Sequence, residues 1–283
     1  MSLRRILSLC VLASATAAFA NAGTFLFDDF NYPTGPIDGR NGGTGWASAW
    51  IGIPEFVVAP GSLSYPGLQQ SGNRAQFIPS SLAGTNSLRV LSSLGSDGST
   101  FWLSFLISFD GLLAQNTADL RLDAKNGYFH IGRELGDQAN WGFEDTATPP
   151  VYSQSSVPIT GSVLFVAIRI DQNADPNAND VVTVYMDPVP ALLPGANPGV
   201  PGIVFTDLNF NTSNVTLALD GAAFPDPATT GFVANFDPFR GGSTYADVAP
   251  GIVSTTPEPA TWSFPAGALA LFALAMRRRA KIV

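Results

Sequence analysis

Phe101-Trp102-Leu103-Ser104-Phe105-Leu106-Ile107-Ser108-Phe109 (FWLSFLISF) places a large apolar residue at every odd position and alternates Trp, Ser, Leu and Ser at the even ones. Side chains of a strand point to opposite faces in turn, so this spacing predicts a strand with one greasy face and one mixed face, as in a two-sheet sandwich. Working outward, Thr24 to Phe30 reads as an earlier strand, and Leu120 to Asp123 and Gly127 to Ile131 as shorter ones joined by the turn Lys125-Asn126-Gly127. Val163 to Ile170 is a β-branched and apolar run with Val181 to Met186 as its antiparallel partner, and Val215 to Leu219 and Phe232 to Phe236 follow. No apolar stripe of helical period longer than two turns precedes Ala260. Seven or more short strands with almost no helix predict an all-β fold, a two-sheet antiparallel sandwich.

Composition agrees. The chain has 283 residues with 28 Gly and 22 Pro, but also 20 Phe, so it is rich in turns and in core material together. Between Arg5 and Arg277 stand 8 basic residues against 22 acidic ones, a formal net charge of −14. Such a surface repels nucleic acid and anionic headgroups, so nucleic acid is excluded as a partner.

The two ends read differently from the middle. Arg4 and Arg5 precede the apolar run Ile6 to Leu12, and Ala18-Phe19-Ala20 supplies an A-x-A cleavage pattern. Residues 1–20 are therefore expected to be a secretory signal peptide cut after Ala20, with a cut after Ala22 as the alternative. Cys10, the one cysteine, lies in that run, which leaves the exported chain with neither disulfides nor thiolates. At the other end Pro257-Glu258-Pro259 is followed by residues 260–276, an uncharged run long enough to cross a bilayer as a short helix, and then by Arg277, Arg278, Arg279 and Lys281. The basic stop at 277–281 predicts a cytoplasmic C-terminus, with everything before Pro257 outside. The expected organisation is a signal peptide (1–20), one β-sandwich domain (21–250), a linker (251–256) and a tail (257–283).

Tripeptide, span and arginine cluster in that order resemble the PEP-CTERM sorting tail of bacteria with an outer membrane. The resemblance implies export through the Sec translocon, cleavage by signal peptidase, and retention in the inner membrane. Cutting near Pro257, Glu258 and Pro259 by exosortase then releases the domain to the cell surface or outside. Within the middle segment, Phe27-Asp28-Asp29-Phe30, Gly42-Gly43-Thr44-Gly45-Trp46, Ile168-Arg169-Ile170-Asp171 and Phe236-Asp237-Pro238-Phe239-Arg240-Gly241 resemble the pattern of concanavalin A-like (LamG-type) jelly rolls. Pro238 stands where such domains usually carry Glu, which predicts an edge or a bulge in that strand.

Candidate chemistry is sparse. His130 is the only histidine, sits between Phe129 and Ile131, and has no G-x-S-x-G elbow to partner it, so it reads as an ordinary strand histidine. The E-x-D-x-x-E pattern of jelly-roll glucanases is missing, and Glu144 and Asp145, being adjacent, would face opposite ways on a strand. The domain is thus read as non-enzymatic, with a secreted glycosidase or lectin as the alternative. Asp171, Asn173, Asp175, Asn177 and Asp180 offer oxygen at alternate positions and make the candidate Ca²⁺ loop; a solvated hairpin turn is the competing reading. Trp46, Trp50 and Trp141 are candidate stacking platforms for extracellular polysaccharide, against the reading that they plug the sandwich.

Overall fold

The computed structural model describes residues 25–79, 85–111, 117–133, 140–147, 151–190, 192–194, 203–222 and 231–250. The segments expected to be a signal peptide (1–20), a linker (251–256) and a sorting tail (257–283) lie outside the described residues, within which no helix is long and apolar enough to cross a membrane. The chain divides after Gly251 into two units, and the first contains everything described below.

Fifteen strands occur among the described residues. They are β1 (Leu26–Asp28), β2 (Gly35–Pro36), β3 (Phe56–Ala59), β4 (Arg74–Phe77), β5 (Thr85–Leu91), β6 (Thr100–Asp110), β7 (Thr117–Ala124) and β8 (Gly127–Arg133). After these come β9 (Asn140–Asp145), β10 (Val151–Pro158), β11 (Leu164–Asp171), β12 (Val181–Met186), β13 (Ile203–Phe205), β14 (Val215–Ala222), β15 (Val233–Gly242) and a single-turn helix α1 (Tyr245–Val248). One sheet runs β13-β12-β11-β6-β15-β4-β3-β2, with β1 also on β15; the other runs β10-β9-β8-β7-β14-β5. Every pairing is antiparallel.

The alternation of β6 does what its spacing dictates. Phe101, Leu103, Phe105, Ile107 and Phe109 enter the main core between the sheets. Trp102 and Leu106 face the other way, into a second cluster with Leu68, Phe165, Ala167, Tyr245 and Val248. Helix α1 closes that outer layer, where the Ser104 hydroxyl donates to the Val248 carbonyl at 2.6 Å. A strand covered on both faces has no polar side to alternate with, which is why its mixed face still carries Trp and Leu. The hairpin β11–β12 pairs Asp171 with Val181, so the nine residues between them form the expected polar loop.

Pro238 marks a bulge. The register of β15 against β6 shifts between Asp237 and Arg240, and on its other side β15 pairs with β4 up to Phe236 and with β1 from Phe239. A residue without an N–H sits where one neighbouring strand gives way to the next. The strand is interior to its sheet, so of the two expectations for Pro238 the bulge is met and the edge is not. Asp237 beside it is fully buried; its Oδ2 accepts from the Leu63 amide at 2.8 Å and from the Ser62 hydroxyl. Burial pushes this carboxyl up to about 8, against the pull of those two donors.

The N-terminal strap, residues 25–52, is locked to β5 by one ion pair. Arg89 and Asp28 side chains are both 1% exposed and meet at 2.5 Å. Ser87 and Leu91 flank Arg89 on the core-facing side of β5, so strand alternation alone sends the guanidinium inward. All five of its N–H groups find acceptors: Nε on the Ser48 carbonyl, Nη1 on Asp28 and the Tyr32 hydroxyl, Nη2 on Asn41 Oδ1 and the Gly42 carbonyl. Asp28 in turn accepts from the Phe30 amide, the Tyr32 hydroxyl and Trp50 Nε1. Burial pushes the Asp28 carboxyl up while these donors and Arg89 pull it down. Gly43 and Gly45 flank the close approach that lets Thr44 exchange backbone hydrogen bonds with Phe27; at φ +72° and +79°, a Cβ would stand 2.0 Å from the Phe27 carbonyl oxygen or 2.1 Å from that of Phe25.

Candidate functional site

The outward face of the six-stranded sheet gathers a row of charged and titratable side chains. Ala118, Leu120 and Leu122 of β7, Phe129 and Ile131 of β8, and Leu217 and Leu219 of β14 all enter the core. Alternation therefore turns Asp119, Arg121 and Asp123, then Tyr128 and His130, then Asp220, to the opposite face. The register sets them side by side: Asp220 opposite Asp119, Arg121 opposite His130, His130 opposite Glu144, and Asp123 opposite Tyr128.

His130 Nδ1 donates to Asp119 Oδ1 at 2.6 Å and lies 4.0 Å from Asp220 Oδ2. Arg121 bridges two acids, with Nη1 on Asp220 Oδ2 at 3.1 Å and Nε on Asp123 Oδ1 at 2.8 Å, and its guanidinium lies 5.5 Å from the centre of the Tyr128 ring. Tyr128 and His130 meet edge to face at 4.9 Å. The side chains of Asp119, His130 and Asp220 are 7%, 11% and 16% exposed, so the group sits just beneath the surface. Burial, and then the charge of Asp119, push the Asp220 carboxyl up to about 6; Arg121 and His130 pull it back. Asp119, His130 and Asp220 form the one group of three ligand-type side chains within 4.8 Å of one another among the described residues. Each can offer a nitrogen or an oxygen to a cation, and the imidazole–carboxylate pair can also hold and pass a proton.

The candidates read from the sequence lie elsewhere in the fold. Trp50 and Trp141 are 1% and 2% exposed, so neither offers a ring face to a sugar. Trp46 is half-buried, donates Nε1 to the Phe27 carbonyl and lies under the Arg89 guanidinium at 4.5 Å. All three plug the sandwich, because their rings bury more apolar area than any other side chain can. Among the side chains described, the exposed aromatic ring on the polar face is Tyr128, at 42%.

The Asp171 to Asp180 loop spends its oxygens on hydrogen bonds within the hairpin and to its neighbours. Asp171 Oδ1 receives Thr100 Oγ1 and the Arg169 guanidinium, and Asp180 accepts the backbone amides of Asn173 and Phe210. Asn173 and Asp175 cap the amides two residues on, at Asp175 and Asn177, which are Asx turns of a hairpin. Lys125 Nζ already sits on the Pro176 carbonyl at 2.6 Å. The arrangement is that of a hydrogen-bonded hairpin, and Asp171, Asp175 and Asp180 do not converge on a common point. Glu144 and Asp145 do face opposite ways, Asp145 being fully buried.

The Asp119–His130–Asp220 group escapes a reading by linear spacing because its members come from three strands. The available signal was the alternation Asp119, Arg121, Asp123 within an otherwise apolar run, which marks a polar face on a buried strand.

No family model matches the sequence, and comparison with curated proteins finds no relative. Among solved structures the chain is similar to an endo-β-1,4-glucuronan lyase from the fungus Trichoderma reesei, at 12% identity over 80% of this chain and 98% of that one, with a TM-score of 0.48. It is also similar to a glycosyl hydrolase family protein from Mycobacterium fortuitum (13% identity, 77% and 99% covered, TM-score 0.45). A third is the carbohydrate recognition domain of Emp47p (8% identity, 77% and 95% covered, TM-score 0.43).

Proposed function

We propose that this chain is an exported, non-catalytic β-sandwich that is sorted through its C-terminus and meets polysaccharide outside the cell. The observation that carries the proposal is the order at the terminus: Pro257-Glu258-Pro259, an uncharged run, then Arg277-Arg278-Arg279, opposite an N-terminus with its own cationic and apolar signature. On this reading Sec and signal peptidase act at the first end. The inner membrane holds the second until exosortase engages the extended Pro-Glu-Pro segment, where proline at both flanks of Glu258 disfavours helix. Cargo contact with sugar falls to the polar face of the six-stranded sheet, where the exposed ring of Tyr128 lies among Arg121, Asp123 and His130. An aromatic face flanked by hydrogen-bonding side chains suits a neutral glycan better than an anionic one, given the acids around it.

The test is the intact mass of the protein recovered outside the producing cell. Loss of residues 1–20 together with the tail after the Pro-Glu-Pro segment is the expected result; extracellular protein with its tail intact ends the sorting reading. Retention of the wild-type protein, but not of a Tyr128→Ala variant, on the producer's own polysaccharide checks the sugar contact.

A second reading, a secreted carbohydrate-active enzyme, is favoured by Asp119 and Asp220, which bring carboxylate oxygens within 4.8 Å of each other beside a histidine. That is close to the roughly 5 Å separation of a retaining pair. Release of reducing sugar by the purified protein, abolished in Asp220→Asn, would decide for the enzyme.

A further inference from the structure

We propose that Asp119, His130 and Asp220 bind one divalent transition-metal ion of the zinc type on the outward face of the six-stranded sheet. The geometry is already close. A tetrahedral shell with bonds of about 2.0–2.2 Å sets its ligand atoms roughly 3.4 Å apart. Here the Nδ1–Oδ1 separation of His130 and Asp119 is 2.6 Å, that of His130 and Asp220 is 4.0 Å, and the three ligand atoms lie within 4.8 Å of each other. Opening the first gap and closing the second takes shifts within the range of side-chain rotation, and the three positions are adjacent on paired strands, a rigid base for a site.

Charge points the same way. Asp119, Asp123 and Asp220 face one fixed cation, Arg121, and Glu144 lies opposite His130 on β9. A divalent ion between Asp119 and Asp220 adds the positive charge that these acids lack, at the position now held by the His130 Nδ1 proton, which leaves to solvent when the metal enters. One imidazole nitrogen with two carboxylate oxygens is a borderline donor set that suits zinc; calcium and magnesium ask for six or more oxygens, which this cluster lacks. Arg121, bound to Asp220 Oδ2, acts as a positioning residue that fixes the carboxylate from outside the shell. The slight exposure of all three side chains leaves the fourth position to water or a ligand hydroxyl.

The proposal is independent of what the domain binds. Full-length protein purified in detergent without a histidine tag, and freed of metal with a chelator, is titrated calorimetrically with Zn²⁺ and separately with Ca²⁺. One zinc per chain, a raised melting temperature and no heat from calcium are expected. Asp220→Asn and His130→Gln should each weaken zinc binding by about tenfold or more. Asp175→Asn, in the exposed β11–β12 hairpin of the other sheet, should leave it within about twofold. Because His130 is the sole histidine, its imidazole NMR resonances are unambiguous and must shift on zinc addition, even if the His130→Gln chain fails to fold. Absence of zinc uptake, unshifted imidazole signals, or equal affinity in wild type and Asp220→Asn would overturn the site.

Discussion

Two charged networks in this molecule differ in one respect, the completeness of their pairing. Around Asp28 and Arg89 every guanidinium N–H has an acceptor, both side chains are 1% exposed, and the partners come from the strap and β5. Around Asp119, His130 and Asp220 the acids outnumber the fixed cation and the side chains reach the surface. A sealed pair fixes the position of a chain segment, since moving either partner leaves a buried charge behind. An unsealed one retains capacity to bind, since an added cation or a proton changes its energy.

The comparison breaks first at Arg89. Arg89→Ala is expected to cost about 3–5 kcal/mol, because Asp28 then stays buried with no cation; chemical denaturation of wild type and variant measures it. A loss under 1 kcal/mol would mean that the strap is held by its aromatic contacts alone. A sealed carboxylate held by two hydrogen bonds, with Arg240 only a more distant charge, gives the next effect. Burial pushes the Asp237 carboxyl up to about 8 in the fold, above its unfolded value, so the folded state holds its proton more tightly. Stability from this group is full below about pH 4 and is lost as pH rises toward 8. Asp237→Asn should remove a decline on the order of a few kcal/mol between those limits, read as the melting temperature against pH. The smallest effect belongs to the open network: Arg121→Ala is expected to cost less than about 1 kcal/mol in the same denaturation experiment, since its partners remain partly solvated.

Much of the fold could be read from the chain itself. The period-two run at Phe101 to Phe109 gives the longest strand and both of its faces, and the polar stretch between Ile170 and Val181 gives the hairpin. Short strands such as β2 and β13 escaped because two or three residues carry no period. The inward Arg89 was equally legible in principle, lying between Ser87 and Leu91, but its partner is 61 residues away and only the register of the strap supplies it. The tryptophans left two readings open for the opposite reason: a ring suited to stacking on sugar is equally suited to filling a core, and spacing does not distinguish the two. The loop acids did likewise, since Asp and Asn cap turns with the same oxygens that ligate calcium.

The adjacency of β1 and β15 has a consequence in time. The opening strand of the domain finds its neighbour more than two hundred positions later, and β15 also joins β4 to β6. A chain emerging from its amino end therefore has no way to finish this sheet early, and pairing so distant in sequence makes for slow closure. Until residue 242 arrives this sheet lacks the strand that joins its two halves, even where local hairpins such as β11–β12 have already closed.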